Sequence, residues 1–307
     1  YKERINYKIV DDDLGVGTNN ERFRNNINAI QVLKKCEEED RYATPEEQKI
    51  LSEYVGWGAL QDAFDETKGN WANEYVELKQ LLNDYEYQEA KDTTLTAFYT
   101  PPVVIEAMYK ALQNMGLKEA NILEPSCGVG NFFGMLPEEL KNCKMYGVEI
   151  DSITGRIAQQ LYQKSTIAVK GFEKVELPDS FFDVSIGNVP FAPHSVYDKR
   201  YDKNKFLIHD YFFAKTLDKV RPGGVIAFIT SKGTMDKKNP EVRKYIAQRA
   251  ELIGAIRLPN NTFTKNAGTK VTSDIIFLKK REKMTDIMPE WVYLDKSNDG
   301  IEMNKYF

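Results

Sequence analysis

The sequence predicts an α/β fold in which a mostly parallel sheet is covered by helices on both faces and preceded by a helical segment. Three observations carry that prediction. From residue 93 onward short apolar runs alternate with amphipathic stretches, the rhythm of a parallel sheet. Before that point apolar residues recur at helical spacing. The chain has 307 residues, 42% hydrophobic and 29% charged, which allows a sizeable core and is too apolar for disorder.

The helical part, residues 1–92, begins with Ile27, Ile30, Val32 and Leu33 on one face, followed by the acidic run Glu37, Glu38, Glu39, Asp40. Thr44-Pro45-Glu46-Glu47 reads as a capping box with proline in the first turn, and Ile50, Leu51, Tyr54 and Val55 continue that helix until Gly56-Trp57-Gly58 breaks it. A further helix is expected from Asn73 to Lys91, with Leu78, Leu81 and Leu82 inward.

In residues 93–281, Thr100-Pro101-Pro102 opens a helix that Gly116 should close. Strands are expected at 121–124, 144–150, 167–171, 183–187, 224–230, 252–258 and 274–278. A turn and helix should span 130–140, and helices 152–162, 210–220 and 241–250. Residues 282–307, polar and uneven after Lys279-Lys280-Arg281, read as a linker toward a missing C-terminal region.

The formal net charge is −4, which at first sight argues against a polyanionic partner. Divided by position it does not: residues 1–92 carry 12 basic and 21 acidic side chains, and residues 93–307 carry 30 and 25. Cys36, Cys127 and Cys143, with His194 and His209, give neither a disulfide framework nor zinc-ligand spacing, so no metal is expected. No apolar run approaches a membrane span and the first residues are not a signal or transit peptide, so a cytoplasmic protein is the default.

The strand at 121–124 runs into Glu124-Pro125-Ser126-Cys127-Gly128-Val129-Gly130-Asn131-Phe132-Phe133. Glycines at the carboxyl end of a first strand let backbone approach a ligand. The dinucleotide fingerprint would place a third glycine at Phe133, so a pyrophosphate clamp is disfavoured. Glu149 ends the next strand, where a Rossmann-type site puts a carboxylate on ribose hydroxyls. A ribose without a pyrophosphate points to S-adenosylmethionine, although such a turn also occurs as plain structure. Cys127 is read as a tight-packing residue with no nucleophilic role.

Asn188-Val189-Pro190-Phe191 ends the fourth strand. An exocyclic amine conjugated to a base ring is a poor nucleophile. If the Asn188 side-chain oxygen and the Val189 carbonyl both accept its hydrogens, they favour the pyramidal nitrogen that exists only on the way to the transition state. Pro190 stiffens the turn and Phe191 offers a flat face to a base. No general base is required; positioning does the work. The same tetrapeptide can also be an ordinary strand-to-loop turn.

In order, Tyr99-Thr100-Pro101-Pro102, the 124–132 glycine turn, Gly147-Val148-Glu149-Ile150-Asp151 and Asn188-Val189-Pro190-Phe191 resemble the motifs of the γ-class amino-methyltransferases of DNA, chiefly the N6-adenine enzymes, over about residues 95–280. With Gly56-Trp57-Gly58 and Arg257-Leu258-Pro259-Asn260-Asn261-Thr262-Phe263, the chain resembles the methylase portion of large mobile-element proteins that join a methyltransferase to a helicase. The resemblance implies a Rossmann-like sheet with its last strand antiparallel, S-adenosylmethionine as cofactor, DNA as partner and a C-terminal helicase region. It places the cofactor on Tyr99, Thr100, Pro101, Glu124, Pro125, Cys127, Gly128, Gly130, Glu149 and Ile150, with Phe172 or Glu173 at the adenine. Phe263 would flank a flipped base. Phe172 as plain core and Phe263 as a loop anchor stay open. Val189 departs from the family's usual proline.

An amine inside a duplex cannot reach a buried methyl donor, so the nucleotide must be flipped or single-stranded. Two loops are basic: 192–209, with Lys199, Arg200, Lys203 and Lys205 and the interleaved Tyr197 and Tyr201, and 232–249, with Lys232, Lys237, Lys238, Arg243, Lys244 and Arg249. Either can be a phosphate surface or a solvated face. The main reading is N6-adenine methylation of DNA. Alternatives are a protein glutamine methyltransferase and a non-catalytic cofactor- or DNA-binding module; cytosine N4 stays open. Cytosine C5 is disfavoured, because no Pro-Cys nucleophile occurs.

Overall fold

A computed structural model describes residues 3–307 apart from 12, 14, 96–98 and 264–270. Seven strands form the central sheet: β1 (Asn121–Glu124), β2 (Lys144–Glu149), β3 (Thr166–Val169), β4 (Phe182–Asn188), β5 (Val220–Ser231), β6 (Ala250–Arg257) and β7 (Ser273–Lys280). Their order is β3-β2-β1-β4-β5-β7-β6. The pairs β1·β2, β1·β4, β2·β3 and β4·β5 are parallel, whereas β7 runs antiparallel to both β5 and β6. The expected mostly parallel sheet, with its last strand reversed, is what the chain forms.

Alternation along the strands builds the two cores. Ile122, Ala227, Ile229, Ile275 and Phe277 point into one apolar cluster. Leu123, Ile226, Phe228, Ile276 and Leu278 point into the other. The second cluster is covered by α8 (Ile208–Lys219) and α10 (Glu241–Arg249), the first by α5 (Pro102–Asn114) and α7 (Ser152–Leu161).

Four further helices precede the sheet: α1 (Asn19–Glu38), α2 (Pro45–Ser52), α3 (Ala72–Leu81) and α4 (Asp84–Asp92). Phe23, Ile27, Ile30 and Leu33 of α1 belong to the same cluster as the sheet residues of the first face, so the acidic helices share a core with the sheet. Charge pairing reinforces the seam: Arg156 on α7 donates to Glu37 at 2.7 and 2.8 Å and to Glu86 at 2.9 Å, while Lys34 reaches Glu86 at 2.8 Å.

Four expectations need correction. The helix begun at Pro45 ends at Ser52, before Tyr54 and Val55, which lie in the non-helical stretch that follows. The helix expected from Asn73 to Lys91 is two helices, because Asn83 accepts from the Glu86 N–H at 2.8 Å while the Glu86 carboxylate accepts from the Asn83 N–H at 3.0 Å, starting α4 afresh. The helix expected at 130–140 is a single turn, α6 (Asn131–Gly134), followed by a 3-10 turn at Glu138–Leu140. The stretch 282–307, expected as a linker, folds back. It forms a small hairpin of β8 (Leu294–Lys296) and β9 (Glu302–Asn304). Buried Asn304 donates to the carbonyls of Met235 and Trp291, both at 2.7 Å, and Arg243 donates to the Val292 carbonyl at 2.7 Å. Among the described residues no helix is long and apolar enough to cross a membrane.

Candidate active site

Chain connections leave β1 and β4 toward opposite sides of the sheet, so their carboxyl ends diverge, which is where open α/β sheets bind ligands. A cavity of about 310 Å³ opens there. Glu124 at the end of β1, Ser126 to Val129 in the glycine turn, Glu149 to Asp151 at the end of β2 and Asn188 to Pro190 at the end of β4 all line it. Motifs 88 residues apart in the chain meet directly: Asn188 Nδ2 donates to Thr100 Oγ1 at 3.3 Å.

The glycine turn is shaped by conformations that L side chains avoid, with Gly128 at φ +58° and Gly130 at φ +89°. A Cβ at Gly130 would sit 2.4 Å from the Tyr162 ring. The turn also presents an N–H inward: Gly128 N donates to Glu149 at 2.8 Å, and Asp151 N donates to the other carboxylate oxygen at 3.1 Å. Burial outweighs those bonds and pushes the Glu149 carboxyl up to about 7. Glu124 is more extreme. It is buried, its pKa is raised well above the ordinary carboxyl value by desolvation and then by Glu149, and its Oε2 has no hydrogen-bond partner.

An orphaned buried carboxylate oxygen beside a ribose-type acid, in a cleft with a glycine-made floor, fits S-adenosylmethionine: Glu124 would meet its positive charge and Glu149 its hydroxyls. Among the described residues no group of three or more His, Cys, Asp or Glu could hold a metal.

Tyr99, Thr100, Glu124, Cys127, Gly128, Glu149, Ile150, Asn188, Val189 and Pro190 all line this cavity. Pro101, Pro125, Gly130 and Phe191 adjoin lining residues in the chain. Cys127 packs as expected: a Cβ on Gly147 would lie 3.0 Å from its sulfur. Val189 turns its side chain into the second apolar cluster, and its N–H donates to the Ile229 carbonyl at 3.1 Å. That bond extends the β4–β5 ladder and holds the turn in a way proline, lacking the N–H, could not.

Other expected residues lie elsewhere. Phe172 is core, packed on Phe212 with centroids 4.9 Å apart, because its carbonyl is drawn to the buried Lys215 ammonium at 2.7 Å. Glu173 lines a different depression with Tyr197 and Lys199. Phe263 is 3% exposed within the first apolar cluster, a loop anchor in this conformation.

In the 192–209 loop one of the four cations is committed to carboxylates. Arg200 pairs with Asp179 at 3.0 Å and Asp218 at 3.2 Å, and Tyr201, buried, donates to Asp218. Asp218 lies at the far end of α8, which runs back from the catalytic ends of the strands. Lys203 lies in the adjoining 3-10 turn and Lys205 caps it; both, like Lys199, are exposed. In the second loop Arg243 is buried and Arg249 lies over the Tyr245 ring at 3.5 Å. Lys232, Lys237 and Lys238 are exposed just beyond the carboxyl end of β5, on the same side as Asn188.

Sequence reasoning missed one wall. Tyr54, Val55, Gly56 and Thr93 from the helical part line the cavity, with Asn131 and Thr154. The signal was Gly56-Trp57-Gly58, read as a helix break and as part of the resemblance, with no cofactor contact assigned to it; Gly56 has φ +72°.

Fold and cavity together define an S-adenosylmethionine-dependent methyltransferase. A family model described as N-6 DNA Methylase matches residues 78–305, and the chain belongs to that family of adenine-specific DNA methyltransferases. Defense against restriction protein B of Escherichia phage P1 is 31% identical over 210 residues, which are 66% of this chain and 9% of that protein. Type II methyltransferase M.CvrRI of Paramecium bursaria Chlorella virus XZ-6E is 26% identical over 191 residues, 60% of this chain and 48% of that one. The chain thus spans less than half the length of either relative. Two solved structures share the fold. One is a putative class I S-adenosylmethionine-dependent methyltransferase from Listeria monocytogenes, with TM-score 0.52, 18% identity and coverage of 88% of this chain and 90% of that one. The other is a modification subunit of a putative type I restriction enzyme from Vibrio vulnificus YJ016, with TM-score 0.52, 17% identity and coverage of 80% and 67%.

Proposed function

We propose that this chain transfers a methyl group to the exocyclic N6 amine of an adenine that has left the DNA stack. The carrying observation is that Asn188, at the end of β4, shares one cavity with Glu149 and the glycine turn, its Nδ2 spent on Thr100 Oγ1 at 3.3 Å. With its donor engaged, the Asn188 side-chain oxygen is left to accept from the substrate amine, and the Val189 carbonyl takes the second hydrogen. S-adenosylmethionine supplies an electrophilic methyl on a positively charged sulfur. Glu149 would hold the ribose, Glu124 would neutralise the cofactor's positive charge, and Thr100 would fix Asn188. Lys232, Lys237 and Lys238 would take DNA phosphates, and Pro190 and Phe191 would frame the base.

The helical part to residue 92 and the catalytic part from 93 act, in this reading, as one cofactor-binding body. Three cysteines without disulfide partners agree with a reducing, cytoplasmic setting. A helicase region as partner is carried by the sequence resemblance alone.

Transfer of labelled methyl from S-adenosylmethionine to unmethylated DNA tests the reading. The wild type should label adenine, and Asn188→Ala should lose at least about 100-fold, the scale on which removal of a transition-state acceptor acts. Label on cytosine or on protein, or equal labelling by Asn188→Ala, would refute the proposal.

A further inference from the structure

Helix α1 reaches the cofactor cavity without lining it. Asn26, fully buried, donates from Nδ2 to the Gly56 carbonyl at 2.7 Å and accepts at Oδ1 from the Val55 N–H at 2.9 Å. Two successive groups of the 54–56 turn are thereby held by one side chain. Arg22, one helical turn earlier, donates to the Gly58 carbonyl at 3.1 Å. From the other side the Tyr99 hydroxyl donates to the Tyr54 carbonyl at 3.1 Å. Trp57 closes the back, packed edge-on against Phe64 at 5.3 Å and Phe23 at 6.2 Å. The turn so fixed faces the cavity: Tyr54, Val55 and Gly56 line it together with Gly128 and Glu149.

We propose that Asn26 is a positioning residue for S-adenosylmethionine. It touches nothing in the cavity, yet it sets where the 54–56 wall stands, and so how tightly the cofactor is enclosed. The inference rests on reading this cavity as the cofactor site. A side chain that satisfies two buried backbone groups has a large effect when removed, because both are left unpaired. Asn188 and its neighbours on β4 are pinned by Thr100 and by the Val189 to Ile229 bond, neither of which involves Asn26. Loss of Asn26 therefore weakens cofactor binding and spares the transfer step.

The test compares Asn26→Ala, Tyr99→Phe and Gln48→Ala in the full chain, by calorimetric titration with S-adenosylmethionine, by KM and kcat on DNA, and by melting temperature. Gln48 is the control. Also buried, it ties α2 to the carbonyls of Ile5, Gln160 and Leu161 at 3.0, 3.0 and 3.2 Å, away from the 54–56 turn. Asn26→Ala should raise Kd and KM for the cofactor by about tenfold, the effect of one or two lost hydrogen bonds, with kcat at saturating cofactor within about twofold of wild type. Tyr99→Phe should raise Kd a few-fold. Gln48→Ala should lower the melting temperature and leave Kd unchanged.

A wild-type Kd in Asn26→Ala overturns the proposal. So does a Gln48→Ala variant that weakens cofactor as much at an equal loss of melting temperature. If Asn26→Ala does not fold, Asn26→Asp, which keeps the acceptor for the Val55 N–H and loses the donor to the Gly56 carbonyl, takes its place, and an unchanged Kd in that variant overturns the proposal. Wild-type protein that fails to bind S-adenosylmethionine removes the cofactor reading and this inference with it, a result distinct from failure of the inference alone.

Discussion

Glu149 shows how much of the chemistry can sit in one side chain. Its oxygens each accept a backbone N–H, from Gly128 and Asp151, and each keeps a lone pair for a ribose hydroxyl only while the group is ionised. Burial raises the carboxyl to about 7 in the free protein, so below that pH the cofactor must first displace a proton. The Kd for S-adenosylmethionine should therefore rise about tenfold per pH unit as pH falls below 7, and it should keep falling more gently above 7, because Glu124 is raised further and must also ionise to meet the cofactor's charge. The stability of the cofactor-free protein should run the other way. A carboxyl whose folded pKa exceeds its unfolded value contributes stability that is full at acid pH and is lost as pH rises through 7. Titration calorimetry and melting curves between pH 5.5 and 8.5, on the wild type and Glu149→Gln, separate the two trends. A Kd flat across that range would refute the assignment.

Legibility at this scale divided along a physical line. Glu149, Gly128 and Asn188 were readable because each is a local motif on a strand end, where chemistry dictates residue type. Asn26 was not, because its partners lie about thirty residues away and an asparagine in a helix has no periodic signature. For Phe172 and Arg200 the sequence left a structural alternative open beside the functional one, for a related reason. The partners that claim them, Lys215 for the one and Asp179 and Asp218 for the other, are brought near only by the fold.

At the scale of elements, every strand of the central sheet was legible, since buried strands are short apolar runs bounded by turn residues. Helix boundaries were less so. The stretch from Asn73 to Lys91 keeps a helical pattern across Leu82 and Asn83, and only the reciprocal bonds between Asn83 and Glu86 divide it. Asn83→Ala removes the side-chain acceptor of that box and should cost about 1 kcal/mol, read as a lowered midpoint in urea. Glu86 also receives Lys34 and Arg156, so the loss should extend to the seam between α4 and α7. If Asn83→Ala melts like wild type, the cap is ornamental and the break between α3 and α4 has another cause. The tail was misjudged because polarity alone suggested a linker; what fixes it is the pair of carbonyl contacts made by Asn304, invisible without the fold.

Over the whole molecule, the net charge of −4 conceals where positive charge is usable. Of the basic residues expected to meet DNA, Arg200 is committed to Asp179 and Asp218, and Arg243 to the Val292 carbonyl. Lys232, Lys237 and Lys238 are exposed just beyond the carboxyl end of β5. Phosphate contacts release counterions, so each one lost should reduce the slope of log affinity against log salt by about 0.9 on duplex DNA. The triple variant Lys232→Ala, Lys237→Ala, Lys238→Ala should therefore bind more weakly at 50 mM salt and flatten that slope by up to about 3, with an unchanged Kd for S-adenosylmethionine. Arg200→Ala should do the opposite, leaving the salt slope alone and moving the melting temperature little, because both of its pairs are solvent-exposed and Asp179 keeps Lys219 while Asp218 keeps Tyr201. Binding isotherms from 50 to 200 mM salt distinguish these outcomes. A salt slope that falls with Arg200→Ala and not with the triple variant would place the DNA on the opposite side of the sheet from Asn188, a geometry in which the proposed transfer could not occur.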